Sequence, residues 1–309
     1  MNRYIAWSVP VAAVSLILSG CSSDSSGSSD ATATSGAETT TSAAEAAAAN
    51  PLVDTAATDY HGYADDQAKQ LVGVVKTLTD AVRANDLAAA QAAYAPSRLP
   101  WERIEPLAGL VEDIDGKVDS RVDDFAGVDD PEFTGWHRLE YLLFEKNTTE
   151  GGAEFADQLD KDIATLNEQM PGLEVAGRDV AVGAAELIEE VSEGKITGEE
   201  DRYSKTDLWD FDANLQGSQV AIEKLKPALQ EADPELLGKI ETGFSDIYAT
   251  LAPLRRGDGW VLFCTENDPY PSARCTGVTV DPPTVDKLKS QLAGLSENVS
   301  QVAGVLKLS

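Results

Sequence analysis

Hydrophobic residues recur every three or four positions along most of the chain from residue 51 onward. This spacing places them on one face of an α-helix, as in helices that pack on a core. Roughly eight such stretches of ordinary length follow one another with short connections, and sustained alternation is confined to Trp260–Phe263. The pattern predicts an all-α protein, most simply two packed antiparallel four-helix bundles.

Prolines and apolar stripes set the predicted helix boundaries in the first half of this domain. Pro96 and Pro100 predict a turn after a short helix that ends at Tyr94. The apolar stripe Leu107–Phe125 predicts a further helix, and Phe133–Glu145 predicts the next one.

The helix predicted over Phe133–Glu145 carries the most chemical information. His137 and Glu140 are three residues apart, so they lie about 60° apart around a helix axis and share a face. Trp136 and Leu139 add an apolar stripe beside them, which predicts a polar pair held rigidly at the edge of a core. This spacing alone is more often found in a surface polar pair or in a hydrogen-bonded core histidine than in a metal site. The less common interpretation is that the two side chains are metal ligands.

The first 50 residues predict export and tethering. Residues 1–20 have a basic start and a short apolar segment, which is typical of a signal peptide. Leu18-Ser19-Gly20-Cys21 resembles a bacterial lipobox, in which Cys21 is lipidated; an ordinary cleaved signal is the alternative. Residues 21–50 consist mainly of Ser, Thr, Ala and Gly, which predicts a disordered tether, and residues 51–309 form the helical domain.

The charge balance restricts the binding partners. The chain has 53 acidic and 24 basic residues, a net charge of −29, which becomes −30 when Arg3 leaves with the leader. Such a charge repels nucleic acid and anionic membrane surfaces and favours cations. The alternative explanation is that the charge only keeps an exported protein soluble.

Two further sequence features suggest local structure. Cys264 and Cys275 flank a polar loop in a protein predicted to be exported, so a disulfide between them is expected, and the absence of CxxC spacing argues against a thiolate metal site. The stretch Lys195–Phe211 contains three successive acids, Glu199-Glu200-Asp201. A solvent-exposed acidic loop is the ordinary interpretation of that stretch.

Several motifs together resemble the imelysin-like EfeO/EfeM family of bacterial iron-uptake lipoproteins, over the chain from about Tyr60 to its end. The motifs are the lipobox, Tyr94-Ala95-Pro96-Ser97-Arg98, Trp101-Glu102-Arg103-Ile104-Glu105-Pro106, Gly135-Trp136-His137-Arg138-Leu139-Glu140 and Gly198-Glu199-Glu200-Asp201-Arg202-Tyr203-Ser204. The resemblance implies two four-helix bundles with a metal site at an HxxE motif, in a protein that works beside an iron permease and a haem peroxidase.

The resemblance also implies a ligand set. His137 and Glu140 match the HxxE ligands, and carboxylates complete the site in this family. The further candidates are Asp157 and Glu200, with Glu102 and Glu199 in reserve. An imidazole with carboxylates and no thiolate suits iron, as Fe(II) or Fe(III), although other divalent cations also bind such sites.

The sequence departs from the family pattern in two places. Lys205 stands where the family commonly has a histidine, which removes a possible nitrogen ligand. Only the helical domain is recognised, without the cupredoxin-like domain of longer members.

The expected function is therefore iron capture by a protein lipid-anchored on the extracytoplasmic face of the cell membrane, with delivery to an EfeUOB-type importer and no enzymatic turnover. One alternative is an imelysin-like metallopeptidase, but Tyr141 occupies the second histidine position of an HxxEH motif, and His61 is the only other histidine. The other is a structural surface lipoprotein with a vestigial HxxE motif.

Overall fold

The computed structural model describes residues 50–308. The predicted signal peptide of residues 1–20, the predicted lipidation site Cys21 and the predicted tether up to residue 49 lie outside the described residues. The regular secondary structure within residues 50–308 is helical apart from one pair of two-residue strands, so the all-α prediction is confirmed. None of the described helices has both the length and the apolar character needed to cross a bilayer.

Ten α-helices and one strand pair are described between residues 50 and 308. The helices are α1 Pro51–Arg83, α2 Leu87–Ile104, α3 Glu112–Val118, α4 Gly135–Glu140, α5 Ala153–Gln169, α6 Gly177–Glu193, α7 Asp207–Ala232, α8 Pro234–Leu251, α9 Pro282–Val299 and α10 Val302–Val305, and the antiparallel strands are β1 Arg255–Arg256 and β2 Gly259–Trp260. A π-helical turn, Tyr141–Glu145, extends α4, and short 3₁₀ turns join several helices.

The starts of four long helices are capped by Asn or Asp side chains. Asn50, Asp86, Asp233 and Asp281 each accept a hydrogen bond from a backbone N–H in the first turn of α1, α2, α8 and α9. Such caps satisfy donors that have no partner within the helix, and each typically stabilises a helix by about 1 kcal/mol.

The long helices pack in two groups that share α7. In the first group α1 packs against α2 and α5, and the short helices α3 and α4 take the place of a fourth long helix. In the second group α6 packs against α7 and α9, while α8 packs against α7 and α9. Helix α7 also contacts α1 and α2, so buried Leu, Val, Ile and aromatic side chains form one continuous core.

Two boundary predictions in the first half of the domain are wrong. Helix α2 continues through Pro96 and Pro100 to Ile104, because packing of α2 against α1 and α7 outweighs the few kcal/mol that internal prolines cost. The stripe Leu107–Phe125 is divided into a 3₁₀ turn, α3 and a second 3₁₀ turn. Its apolar residues Leu107 and Ile114 are nevertheless buried. The periodicity therefore indicated which residues are buried but not that the helix is interrupted.

The predicted disulfide between Cys264 and Cys275 is confirmed. It closes a loop between the strand pair and α9.

Candidate metal centre

Four separate segments bring acidic side chains to His137. Helix α4 carries His137 and Glu140, α2 carries Glu102, residue Asp119 directly follows α3, and the segment between α6 and α7 carries Glu200. Four of these residues are at most 2% exposed, and the side chain of Asp119 is 7% exposed. These side chains come from sites as much as 98 residues apart (Glu102 to Glu200) and meet at the junction of the two helix groups.

A glycine allows α4 to lie directly against the end of α3. Gly135 has φ +72°, and a Cβ at this position would lie 2.2 Å from the carbonyl oxygen of Val118. Only glycine tolerates both this backbone conformation and this approach. The contact places the Nε2 of His137 3.4 Å from Asp119 Oδ1.

The imidazole of His137 is surrounded by carboxylates. Its Nδ1 lies 3.2 Å from Glu140 Oε2, and its Nε2 lies 3.6 Å from Glu200 Oε1. Burial and the charge of Arg98 oppose protonation, but the close carboxylates of Asp119, Glu140 and Glu200 outweigh them and hold the pKa of His137 well above its usual value. The surrounding carboxylates therefore favour the doubly protonated, positively charged form of the imidazole.

The Glu140 carboxylate is fixed by backbone groups of a distant segment. Its Oε1 accepts hydrogen bonds from the N–H groups of Tyr203, at 2.8 Å, and Ser204, at 2.7 Å. These bonds leave Oε2 directed at His137. Burial raises the pKa of Glu140 above its usual value in spite of the bond with His137.

Two buried basic side chains lie among the carboxylates. The Arg98 guanidinium donates to Glu200 at 2.7 Å and to Asp210 at 3.1 Å, and it also pairs with Glu102 and Asp119. A buried charge is tolerated only when it is paired in this way.

Lys195 is the second basic side chain, and it offsets the negative charge of Glu102 and Glu105. Its Nζ lies 3.0 Å from Glu102 and 2.9 Å from Glu105. Burial alone would raise the pKa of Glu200, but Lys195, the hydrogen bond with His137 and the charge of Arg98 hold it well below its usual value. Burial dominates at Asp210, whose pKa is raised well above the usual value.

Three overlapping groups of side chains in the described residues have the geometry to hold a cation. Within each group, one ligand atom per residue lies within 4.8 Å of the others, and the groups are Asp119, His137 and Glu200; His137, Glu140 and Asp201; and Glu102, Glu200 and Asp210. Ligand atoms this close to one another can each lie about 2.0–2.6 Å from one ion placed between them, which is the usual metal–ligand distance. The donors are one imidazole and carboxylate oxygens, a set that fits iron.

An acidic cleft of about 490 Å³ reaches the cluster from the side of α6. Asp119 and Glu200 line its inner end. Its other acidic residues are Glu105, Asp115, Asp124, Asp179, Glu186 and Glu190, and its basic residues are Arg121 and Arg178. The cleft therefore gives cations a negatively charged approach to the cluster.

Comparison with known proteins identifies the family to which the chain belongs. A peptidase-class family model described as Imelysin matches residues 56–297. The chain belongs to the imelysin family. Its relatives include the "Iron uptake system component EfeO" of Escherichia coli O157:H7 and that of Shigella flexneri. Each is 43% identical to this chain over 268 residues, which cover 86% of this chain and 68% of the relative.

The structure of this imelysin-family chain brings together four of the six residues that the resemblance nominated. His137, Glu140, Glu200 and Glu102 converge in the cluster. Glu199 lies at its edge, where it pairs with Arg121 at 3.4 Å. The interpretation of this segment as a solvent-exposed acidic loop is wrong for Glu200, which is 2% exposed.

Asp157 is not part of the cluster. It lies on the solvent face of α5, where its side chain is 69% exposed and pairs with Arg83 at 2.9 Å. The core-facing side of α5 is formed instead by buried residues such as Ala156 and Leu159. The nomination is corrected because helix geometry directs Asp157 away from the centre.

Sequence reasoning missed Asp119, Asp201 and Asp210 as members of the cluster. Asp201 lies in the acidic triplet and so had a weak signal in the sequence, whereas Asp119 lies within the apolar stripe Leu107–Phe125, which gives no such signal. Arg98, one helical turn before the reserve candidate Glu102, was noticed only as part of a motif. Nothing in the sequence singles out Asp210, because its partners come from other segments.

Proposed function

We propose that this protein binds iron cations at the His137 cluster outside the cytoplasm and passes them to an importer. The observation that carries the proposal is the convergence of Asp119, His137 and Glu200 from three separate segments at the inner end of an acidic cleft. The relatives named as iron uptake system components support iron as the cargo.

The residues of the chain define how a cation enters. The acidic cleft attracts the cation and directs it towards Asp119 and Glu200. His137 gives up a proton so that its Nε2 can act as a ligand, and the carboxylates exchange contacts with Arg98 for contacts with the cation. Glu140 orients the ring through Nδ1, as carboxylates commonly orient metal-binding histidines.

The arrangement supports binding rather than peptide cleavage. Zinc peptidases of the HExxH and HxxEH types use two histidines on one helix. Here the other histidine, His61, contacts the carbonyl oxygen of Met170 at 2.7 Å. Among residues 50–308, no group of side chains that could hold a cation contains a histidine other than His137.

A titration with a matched pair of variants tests the binding site. We expect the purified protein to bind Fe(II) under anaerobic conditions in isothermal titration calorimetry, and His137→Ala to lose at least ~10-fold in affinity. His61→Ala removes the other imidazole and should bind as the wild type does. Equal affinities of the two variants, or no binding by the wild type, would refute the proposed site.

Variants of two carboxylates test whether Glu200, which lies in the cluster, or Asp157, which does not, contributes to iron binding. Glu200→Gln should weaken Fe(II) binding, because it removes an anionic oxygen from the cluster. Asp157→Asn should leave binding unchanged, because that carboxylate pairs with Arg83 on the surface. The opposite result would place the site elsewhere.

The proposal includes a location and partners. We propose that Cys21 carries a lipid anchor on the extracytoplasmic face of the cell membrane, and that an iron permease and a haem peroxidase of the same uptake system are the partners. Cys21→Ser should move the protein from the membrane fraction to the soluble fraction of the cell. Retention of this variant in the membrane would contradict the lipid anchor.

A further inference from the structure

We infer that the loop closed by the Cys264–Cys275 disulfide is a positioning element of the metal centre. This inference rests on the proposed function and names residues that hold one of its ligands in place. The disulfide loop (residues 264–275) lies on the segment Arg202–Lys205, and this segment holds Glu140.

The segment Arg202–Lys205 connects the disulfide loop to Glu140. On one side, the N–H groups of Tyr203 and Ser204 donate to Glu140 Oε1. On the other side, the carbonyl oxygens of the same two residues accept hydrogen bonds from the loop. Ser272 Oγ donates to the Tyr203 carbonyl at 3.0 Å, and the Arg274 guanidinium donates to the Ser204 carbonyl.

Lys205 provides a third connection. The residue is fully buried, it has φ +59°, and its Nζ lies 2.7 Å from Asp268 Oδ2 as an ion pair rather than a well-directed hydrogen bond. Its carbonyl oxygen accepts a hydrogen bond from the N–H of Phe263, next to the disulfide. Lys205 therefore contributes to the centre indirectly, by tying the segment to the loop.

The disulfide makes this support rigid. A loop of this length with several polar residues and two prolines has many conformations when it is open, and closing it removes most of them. Ser272 and Asp268 both lie within the closed ring, so their contacts to the segment are formed at little further entropic cost. The ring thereby restricts where the two N–H donors, and with them Glu140, can lie.

Variants of the loop test the inference in the full chain. We expect Ser272→Ala and Asp268→Asn each to raise the Kd for Fe(II) about 3- to 10-fold, because they remove one support of a group that orients a ligand. Ser272→Thr keeps the hydroxyl and should restore binding. Glu266→Gln changes an exposed carboxylate of the same loop and should bind as the wild type does. Cys264→Ser/Cys275→Ser should have the largest effect.

A second measurement does not depend on iron. Hydrogen exchange of the Tyr203 and Ser204 amides should be faster in Ser272→Ala and Asp268→Asn than in the wild type and Glu266→Gln. The urea midpoints of Ser272→Ala and Glu266→Gln should stay close to that of the wild type, whereas Asp268→Asn leaves the buried Lys205 without its partner and should unfold at a lower urea concentration. Unchanged exchange would overturn the inference, and so would faster exchange with unchanged Kd. A wild type that binds no Fe(II) would refute the proposed function instead, and amide exchange would still decide whether the loop positions Glu140.

Discussion

At the scale of single residues, the protonation of His137 governs what the cluster can bind. Three nearby carboxylates hold its pKa well above the usual value, so a proton and a metal ion compete for the same nitrogen. Affinity for iron should therefore rise with pH as long as the imidazole is protonated. Acidification favours release.

Proton release on binding is the measurable consequence. At neutral pH, Fe(II) binding should release about one proton from His137. Calorimetric titrations in two buffers with different ionisation enthalpies should thus give different apparent heats. Identical heats in both buffers would mean that His137 does not exchange a proton for the metal.

Asp115 in the cleft gives a prediction about stability. Burial, together with the charges of Asp119 and Glu190, raises the pKa of Asp115 to about 7. In the unfolded chain the carboxyl group loses its proton near ~pH 4, so between ~pH 4 and pH 7 the folded protein binds more protons and its stability decreases as pH rises. Asp115→Asn should remove this decrease.

The control for Asp115 lies on the same helix. Urea unfolding at pH 5 and pH 8 should show that Asp115→Asn gains stability relative to the wild type as pH increases. Asp113→Asn changes an exposed carboxylate of α3 and should follow the wild type at both pH values. A constant difference between Asp115→Asn and the wild type would contradict the raised pKa.

The site residues that helical spacing alone revealed are those whose partners are local, whereas Glu102 and Glu200 were nominated from the family resemblance. His137 and Glu140 share one helical turn, so their spacing reveals them. Asp119 and Asp210 acquire their role only through contacts with Arg98, which is 21 and 112 residues away. Such long-range contacts are set by helix packing, which the periodicity of a single segment does not specify.

At the scale of elements, the centre depends on how short helices are held. Helix α4 has six residues and α3 has seven, too few to be stable alone. Their positions are fixed by the close contact at Gly135 and by buried neighbours such as Trp136. The sequence pattern predicted a helix at His137 but not its docking, since a glycine's neighbours cannot be deduced from its own segment.

Gly135→Ala tests the docking of α4. The added Cβ meets the carbonyl of Val118, so the variant should lose more than about 3 kcal/mol of stability, or bind iron weakly if α4 shifts. Gly151 also has positive φ, +75°, but a Cβ there has open space. Gly151→Ala should cost only about 1–2 kcal/mol and leave iron binding unchanged. Urea unfolding and calorimetry compare the two, and similar losses would contradict the steric explanation.

At the scale of the whole molecule, the net charge is −29, and the cleft itself is lined by eight acidic and two basic residues. Glu186 and Glu190 are exposed on the face of α6 that lines the cleft. Composition predicted an affinity for cations, but the location of the cleft follows from the packing of α6 against the 3₁₀ turn Glu105–Leu110, which composition does not contain.

The rate of iron capture should depend on salt. Raising ionic strength from ~0.01 M to ~1 M shortens the Debye length from ~30 Å to ~3 Å, so stopped-flow association should slow by about tenfold or more. Glu186→Gln/Glu190→Gln should weaken this dependence. Glu189→Gln/Glu193→Gln has the same spacing on α6 outside the cleft lining and should keep it. An equal effect of both pairs would show that only net charge matters.

The Arg98 guanidinium has a consequence for the proposed release of iron. Many metal-binding domains collapse when their ion leaves, because their anionic side chains then repel one another. Here the chain supplies its own counter-ion at the centre, bonded to four carboxylates. Under the proposed function, release of iron returns those side chains to an arrangement that is already stable, so the protein should stay folded through repeated cycles of binding and release.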